Sequence, residues 1–227
     1  MGLVSTFKIM LEKGNENFIN LAWERSNFYF FLSSLFLTTP TADTLGTLRE
    51  IAAFSVNSSF ISNGTKQLIS ELENINNEDF RSLVQEYHDL FKVPLSKFVT
   101  PYESVYRHGC MSGKSGVDVK KIYTRLGFQI PNEYHELPDH IGTELAFMAT
   151  LCKEEEKAYK ENNPKLITSL QKMEKKFLKE HILCWLPDLC EKIFEKTKNN
   201  FYLAIAKITL DFVLSDSNTL NCAFIKG

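Results

Sequence analysis

Glu136-Leu137-Pro138-Asp139-His140-Ile141-Gly142-Thr143-Glu144-Leu145-Ala146-Phe147-Met148 reads as the opening of a helix. Pro138 suits a first turn, where its missing N–H is not needed. Asp139 then lies near the positive end of the helix dipole, where an anion is favoured. His140 and Glu144, four residues apart, share a face that continues through Phe147 and Leu151. Ile141, Leu145, Met148 and Cys152 form a neighbouring apolar stripe. A polar row beside an apolar row suits gripping a partner that carries both charge and hydrophobic length. The helix runs on to about Asn162 through Lys153-Glu154-Glu155-Glu156-Lys157, a charge run expected to form a solvated face.

The same period extends outward through the chain. Asn15 to Leu37 is a long first helix, in which Phe28 to Leu37 is apolar but interrupted by serines. That run is about half of the ~20 residues a membrane span needs, so it reads as a buried helix and no stable membrane insertion is expected. A helix from Asp43 to about Phe60 and a short one over Lys66 to Leu72 follow. Phe80, Leu83, Val84, Tyr87 and Phe91 give a strongly amphipathic helix capped by Asn77. Glycine- and proline-bearing connectors occupy 109–116 and 131–138, with a helix over Val117 to Phe128 between them. Pro164 opens a helix carrying Leu166, Leu170, Met173, Phe177, His181 and Cys184. Trp185, Leu186 and Pro187 mark a corner before helices near Leu189 to Lys196 and Asn200 to Ser215, and the tail from Asp216 is weakly specified. Period-two alternation is not sustained anywhere. The expected fold is all-α: a single globular bundle of about eight to ten helices over 1–227. It comprises an N-terminal helical region (residues 1–108), a hinge-like connector (residues 109–116) and a C-terminal helical region (residues 117–227).

Composition narrows the function classes. The 227 residues are 44% hydrophobic and 24% charged, with ten glycines and seven prolines, as in an ordinary soluble helical protein. A net charge of −2 offers no basic field for nucleic acid. Five cysteines, an odd number with no Cys-x-x-Cys pair, fit free thiols in a reducing compartment. The first residues lack a charged segment ahead of an apolar run, so no secretion signal is expected and the location is cytoplasmic.

Three chemical patterns bear on activity. Gly109-Cys110-Met111-Ser112-Gly113-Lys114-Ser115 resembles a phosphate-cradling loop but is one residue short, with His108 where the first glycine belongs and no strand before it. Glu136, Asp139, His140 and Glu144, with His135 nearby, miss the spacing that sets two imidazoles on one helical face, so no metal is expected. Ser104, His108 and Glu103 lie close in sequence without a nucleophile elbow, and no catalytic residue is assigned. For Asp139–His140 both an acid–base role and a cap with a structural hydrogen bond remain open.

Three ordered blocks resemble the TorD/DmsD/NarJ family of redox-enzyme maturation chaperones. Leu83 to Phe91 followed by Pro101-Tyr102-Glu103-Ser104-Val105-Tyr106 is similar to its Tyr-x-x-Leu-Phe … Pro-Tyr-Glu-Ser-Val-Tyr block. Leu137 to Met148 resembles its Asp-His-x-x-x-Glu-Leu-x-Phe-Met signature, and Phe177 to Pro187 its Phe-Leu-x-x-His-Leu-x-x-Trp-x-Pro block. The resemblance implies a cytoplasmic, non-enzymatic chaperone. It would bind the twin-arginine leader, or the apo form, of a molybdenum oxidoreductase catalytic subunit until the cofactor is inserted. It implies a peptide site at Asp139 and His140, with Glu144 close by, bordered by Tyr102, Glu103 and Ser104. Glu136 is added as a further acid because arginine pairs with carboxylates. Some members of the family form domain-swapped homodimers, and weak guanine-nucleotide binding has been proposed in it; no other cofactor is implied. Two alternatives stand beside this: a nucleotide-binding or GTP-hydrolysing helical protein using 109–115, and a helical interaction module without a redox client.

Overall fold

The computed structural model describes residues 17–43, 45–46, 66, 70, 77–111, 113–130 and 136–223. The helix expected from Asp43 to Phe60 and the short one over Lys66 to Leu72 lie largely outside them. Among the described residues the chain is all-helical: α1 (Asn17–Leu37), α2 (Asn77–Phe91), α3 (Glu103–His108), α4 (Lys114–Leu126), α5 (Ile141–Lys160), α6 (Pro164–Glu180), a 3-10 turn (Ile182–Cys184), α7 (Leu186–Lys196) and α8 (Asn200–Ala223). None of the described helices is long and apolar enough to cross a membrane. The chain divides into two compact units, one of Met1–Glu16, Thr39–Val99 and Lys192–Phe212, the other of Asn17–Thr38, Thr100–Glu191 and Val213–Gly227.

Several boundaries differ from those the sequence suggests. α4 begins at Lys114 rather than Val117, because Gly113 caps it in extended conformation. Most of the expected connector therefore belongs to helix ends: Gly109 closes α3 at φ 72°, a left-handed value that favours glycine. Segment 109–116 lies wholly within the second unit. α8 continues to Ala223, so the tail from Asp216 is helical and Asp216 is buried. α7 starts at Leu186, with Pro187 in its first turn where a missing N–H is harmless.

In the first unit the apolar face of α2 buries Leu83, Tyr87, Leu90 and Phe91. Phe91 packs against Tyr202 of α8 with ring centroids 6.2 Å apart, and the Tyr202 hydroxyl donates to the Leu83 carbonyl at 2.7 Å. Glu86 is buried and accepts from Thr197 and from Lys97.

The second unit is built on α1 and α5, which run antiparallel in close contact. Ser33 Oγ donates to the Gly142 carbonyl at 2.7 Å and Ser26 Oγ to the Ala149 carbonyl at 2.8 Å. Each pair is spaced by two helical turns, so small residues line one seam. A Cβ on Gly142 would stand 2.5 Å from Leu37 Cγ and 3.1 Å from the Ser33 carbonyl oxygen. The serines that interrupt the apolar run of α1 are thus the groups that join it to its neighbour. An aromatic cluster of Tyr123, Phe128, Phe147 and Phe177 fills the space between α4, α5 and α6, with Phe147 and Phe177 centroids 4.7 Å apart.

Arg25 of α1 is buried among three carboxylates. Its guanidinium donates to Asp216 at 2.6 and 3.1 Å, to Glu155 at 2.6 Å and to Glu174 at 2.5 Å, joining α1, α5, α6 and α8. Tyr29 donates to Asp216 at 2.7 Å and Gln171 to Glu155 at 2.6 Å. Glu155 therefore departs from the solvated face expected for its charge run; Glu154 is exposed as expected. Three acids on one cation leave excess negative charge out of water, and the site answers by retaining a proton. Burial above all, with the neighbouring Glu155 and Asp216 charges adding to it and Arg25 opposing, raises the Glu174 carboxyl from 4.5 to about 8.

Two measurements follow from these contacts. Gly142→Ala is expected to lower stability by about 2 kcal/mol by thermal or urea unfolding, because overpacking the seam outweighs the gain in helix propensity. For Glu174, the folded chain keeps a proton that the unfolded chain releases between pH 4.5 and about 8, so its stabilising contribution is complete below pH 4.5 and is lost as pH rises to about 8. Glu174→Gln should flatten the fall of Tm across that window; parallel pH profiles for the two proteins would refute the assignment.

Candidate functional site

The segments that open α3 and α5 pair side by side. Tyr102 and His140 form an isolated antiparallel bridge, the Glu103 N–H donates to the Asp139 carbonyl at 2.9 Å and the Ile141 N–H to the Pro101 carbonyl at 2.9 Å. Each segment turns directly into a helix, so the pairing fixes two helix N-termini together. Asp139 and His140 divide the capping between them, and not as the sequence suggests. His140, not Asp139, caps α5: its Nδ1 accepts the Gly142 N–H at 3.0 Å, which leaves the ring proton on Nε2. Asp139 accepts the Ser104 N–H at 2.9 Å and so serves the first turn of α3. Its other oxygen lies 3.1 Å from where a Cβ on Gly116, in the first turn of α4, would stand. The side chain is fully buried where helix N-termini converge, a place that favours an anion. Pro138 precedes α5 rather than entering its first turn, and its carbonyl accepts from the Tyr123 hydroxyl at 3.1 Å.

Beneath this junction lies a second layer of acids. Glu103 is 0% exposed and is held by Arg107 and by His181 Nδ1, the latter at 3.1 Å. Burial pushes its carboxyl upward, but hydrogen bonds from His181, Arg107 and Glu144 outweigh it and keep Glu103 below the usual carboxylate value. Glu144 goes the other way: burial, then the Glu103 charge, raises its carboxyl well above the usual carboxylate value. Its Oε2 accepts from Trp185 Nε1 at 3.2 Å, and Trp185 packs against Tyr106 with centroids 5.2 Å apart. The opposite shifts of two adjacent carboxyls follow from giving the cations to one and the apolar surroundings to the other.

Asp139, His140, Glu144, Glu103 and Ser104 are thus brought together as the sequence suggests, but all are buried, at 0–1% exposure. In this conformation none offers its side chain to an incoming peptide. Tyr102 and Glu136 are the half-exposed members, joined by a hydrogen bond of 2.5 Å from the Tyr102 hydroxyl to Glu136. Tyr102 also meets the His140 ring edge-on at 5.2 Å. Arg107 was not singled out by sequence, though its spacing of four from Glu103 on a helix was the available signal. Among the described residues there is no cluster of His, Cys, Asp and Glu able to hold a metal. Segment 109–115 follows helix α3 rather than a strand, and His108 Nε2 lies 2.9 Å from Ser115 Oγ across it. It lacks the architecture of a phosphate-binding loop.

Residues 59–191 match the family model described as nitrate reductase delta subunit. This chain belongs to that family. The matched span holds all the blocks that meet at the junction. The chain is also similar to the chaperone protein TorD of Vibrio cholerae, 24% identical over 88% of this chain and 94% of that one. TorD of Aliivibrio fischeri is 27% identical over 85% and 93%. A crystal structure from Archaeoglobus fulgidus, assigned as a redox enzyme maturation protein, shares the fold at a TM-score of 0.52 and 21% identity, covering 87% of this chain and 93% of that one. The family is the TorD/NarJ type that the sequence motifs resemble. It is a class of chaperones rather than enzymes, and in this chain the motif segments within 101–187 meet at one buried junction.

That junction predicts the effect of filling it. In Gly116→Ala the new methyl would press on a carboxylate pinned by the Ser104 N–H. The Tm should fall by a few degrees, about 1 kcal/mol, against the roughly 1 kcal/mol gain expected from helix propensity alone. A rise in Tm would show that Asp139 is free to move aside.

Proposed function

We propose that this chaperone binds the twin-arginine leader, or the apo form, of a molybdenum-containing oxidoreductase. It holds that client until the cofactor is inserted and then releases it for export or assembly. The client meets it in the cytoplasm, before the leader is used. One observation carries this: segments of three separated sequence blocks, Pro101 to Tyr106, Leu137 to Met148 and Phe177 to Pro187, converge on a single acid-rich junction whose half-exposed rim is Tyr102 and Glu136. Carboxylates suit guanidinium groups, which pair with them through two parallel hydrogen bonds. The buried acids hold the rim in place from below, so Asp139 and His140 act on recognition through the backbone they cap.

Calorimetric titration of the full chain with a twin-arginine leader peptide tests the reading. The leader should bind, and replacing both arginines by lysine should weaken it about ten-fold, since an ammonium cannot reproduce the fork. Glu136→Gln should cost about 1–2 kcal/mol of affinity with little change in Tm. Equal affinity for a scrambled leader would overturn the proposal.

A further inference from the structure

Arg107 and Glu103 lie four apart on α3, which is an ordinary spacing for a surface ion pair. This pair is not ordinary. Among the described residues, the acids of the other pairs at that spacing, Glu156, Glu180 and Asp211, keep 13%, 54% and 24% of their side-chain surface open. Glu103 keeps 0%, while Arg107 remains 36% open. The guanidinium therefore plugs a buried carboxylate from the solvent side. The Nη1 that donates to Glu103 also donates to the main-chain carbonyl of Glu180 at 3.0 Å. The second Glu103 oxygen is fixed by His181. Two acceptors, one ionised and buried, one a main-chain carbonyl, make a receptor for one NH2 group of a guanidinium.

We propose that Arg107 is an internal stand-in at an arginine-binding site formed by the Glu103 carboxylate and the Glu180 carbonyl, which an arginine of the client enters by displacing it. This deepens the function proposed above and rests on its claim that the client presents arginines. A buried carboxylate stripped of its cation costs about 3–5 kcal/mol, so the site is never left empty; one guanidinium is exchanged for another. The exchange is close to balanced because the group leaving and the group arriving are the same, and the arriving arginine adds whatever contacts its flanking residues make. Arg107 is placed for release: it lies in the last turn of a six-residue helix that ends at Gly109. It is also the exposed member of the pair, so leaving returns it to water rather than through the core.

The test uses methylguanidinium as the probe. In Arg107→Ala it should raise Tm saturably at constant ionic strength, refilling the vacated site, and should do so neither in the wild type nor in Arg107→Ala/Glu103→Gln. No shift, or the same shift in all three, overturns the site. Arg107→Lys keeps a charge over Glu103 and covers the case in which the alanine variant does not fold. With its weaker stand-in, the lysine variant should bind the twin-arginine leader about ten-fold more tightly than wild type. Unchanged or weaker binding overturns the displacement. The two layers of the claim fail differently. Methylguanidinium uptake without leader binding to any variant leaves the arginine site standing and removes the proposed client. Leader binding that ignores Arg107, with no methylguanidinium effect, does the reverse.

Discussion

A carboxylate taken out of water must be given a cation, a helix terminus or a proton. The second unit meets that requirement six times among its described residues, at Glu103, Asp139, Glu144, Glu155, Glu174 and Asp216, all 2% exposed or less. All three solutions are used. Asp139 takes backbone N–H from α3 and sits against the start of α4. Glu103, Glu155 and Asp216 take guanidiniums. Glu174 retains a proton, and burial shifts the Glu144 carboxyl in the same direction. Because these solutions draw on several helices, neutralising these acids also links α1, α3, α5, α6 and the part of α8 that holds Asp216.

The two acid clusters differ in the way that separates structure from function. The Arg25 cluster is closed: guanidinium and acids alike are buried, and its hydrogen bonds run between helices far apart in sequence. The Glu103 cluster is open on one side, through Arg107 and the Tyr102–Glu136 rim. Only the open one can exchange a partner without unfolding its surroundings. The resemblance-bearing segments within 101–187 gather at that one.

Much of this was legible in sequence. Helical period placed α2, α5 and α6 to within a few residues, because each buries one face and leaves the other wet. The blocks holding Tyr102, Glu103, Asp139, His140, Glu144, His181 and Trp185 were recognisable as ordered motifs. What could not be read was which partner each polar group takes. Asp139 looked like a cap for the helix that follows it, yet its carboxylate caps α3, across a pairing of two strand-like segments that no local pattern announces. Glu155 looked solvated because its neighbours in sequence are charged, whereas its partner Arg25 lies 130 residues away. Asp216 opened what looked like an unspecified tail, for the same reason. Periodicity reports which face is buried; it carries no information on which distant cation makes burial of an acid tolerable.

The capping arrangement also governs how substitutions at the junction are to be interpreted. Removing the Asp139 side chain leaves the Ser104 N–H without its acceptor inside the protein, at about 1–3 kcal/mol, and loosens the start of α3. Glu103 is the first residue of that helix and Arg107 lies one turn on. A weakened leader response in such a variant would therefore arise from a displaced Glu103 as readily as from a lost contact. Contact and support separate only where a change leaves the helix starts intact. Glu136 is such a position, because its side chain reaches solvent. If the proposed recognition holds, its chemistry is accordingly to be sought at the rim and at Arg107, above the helix starts that Asp139 and His140 cap.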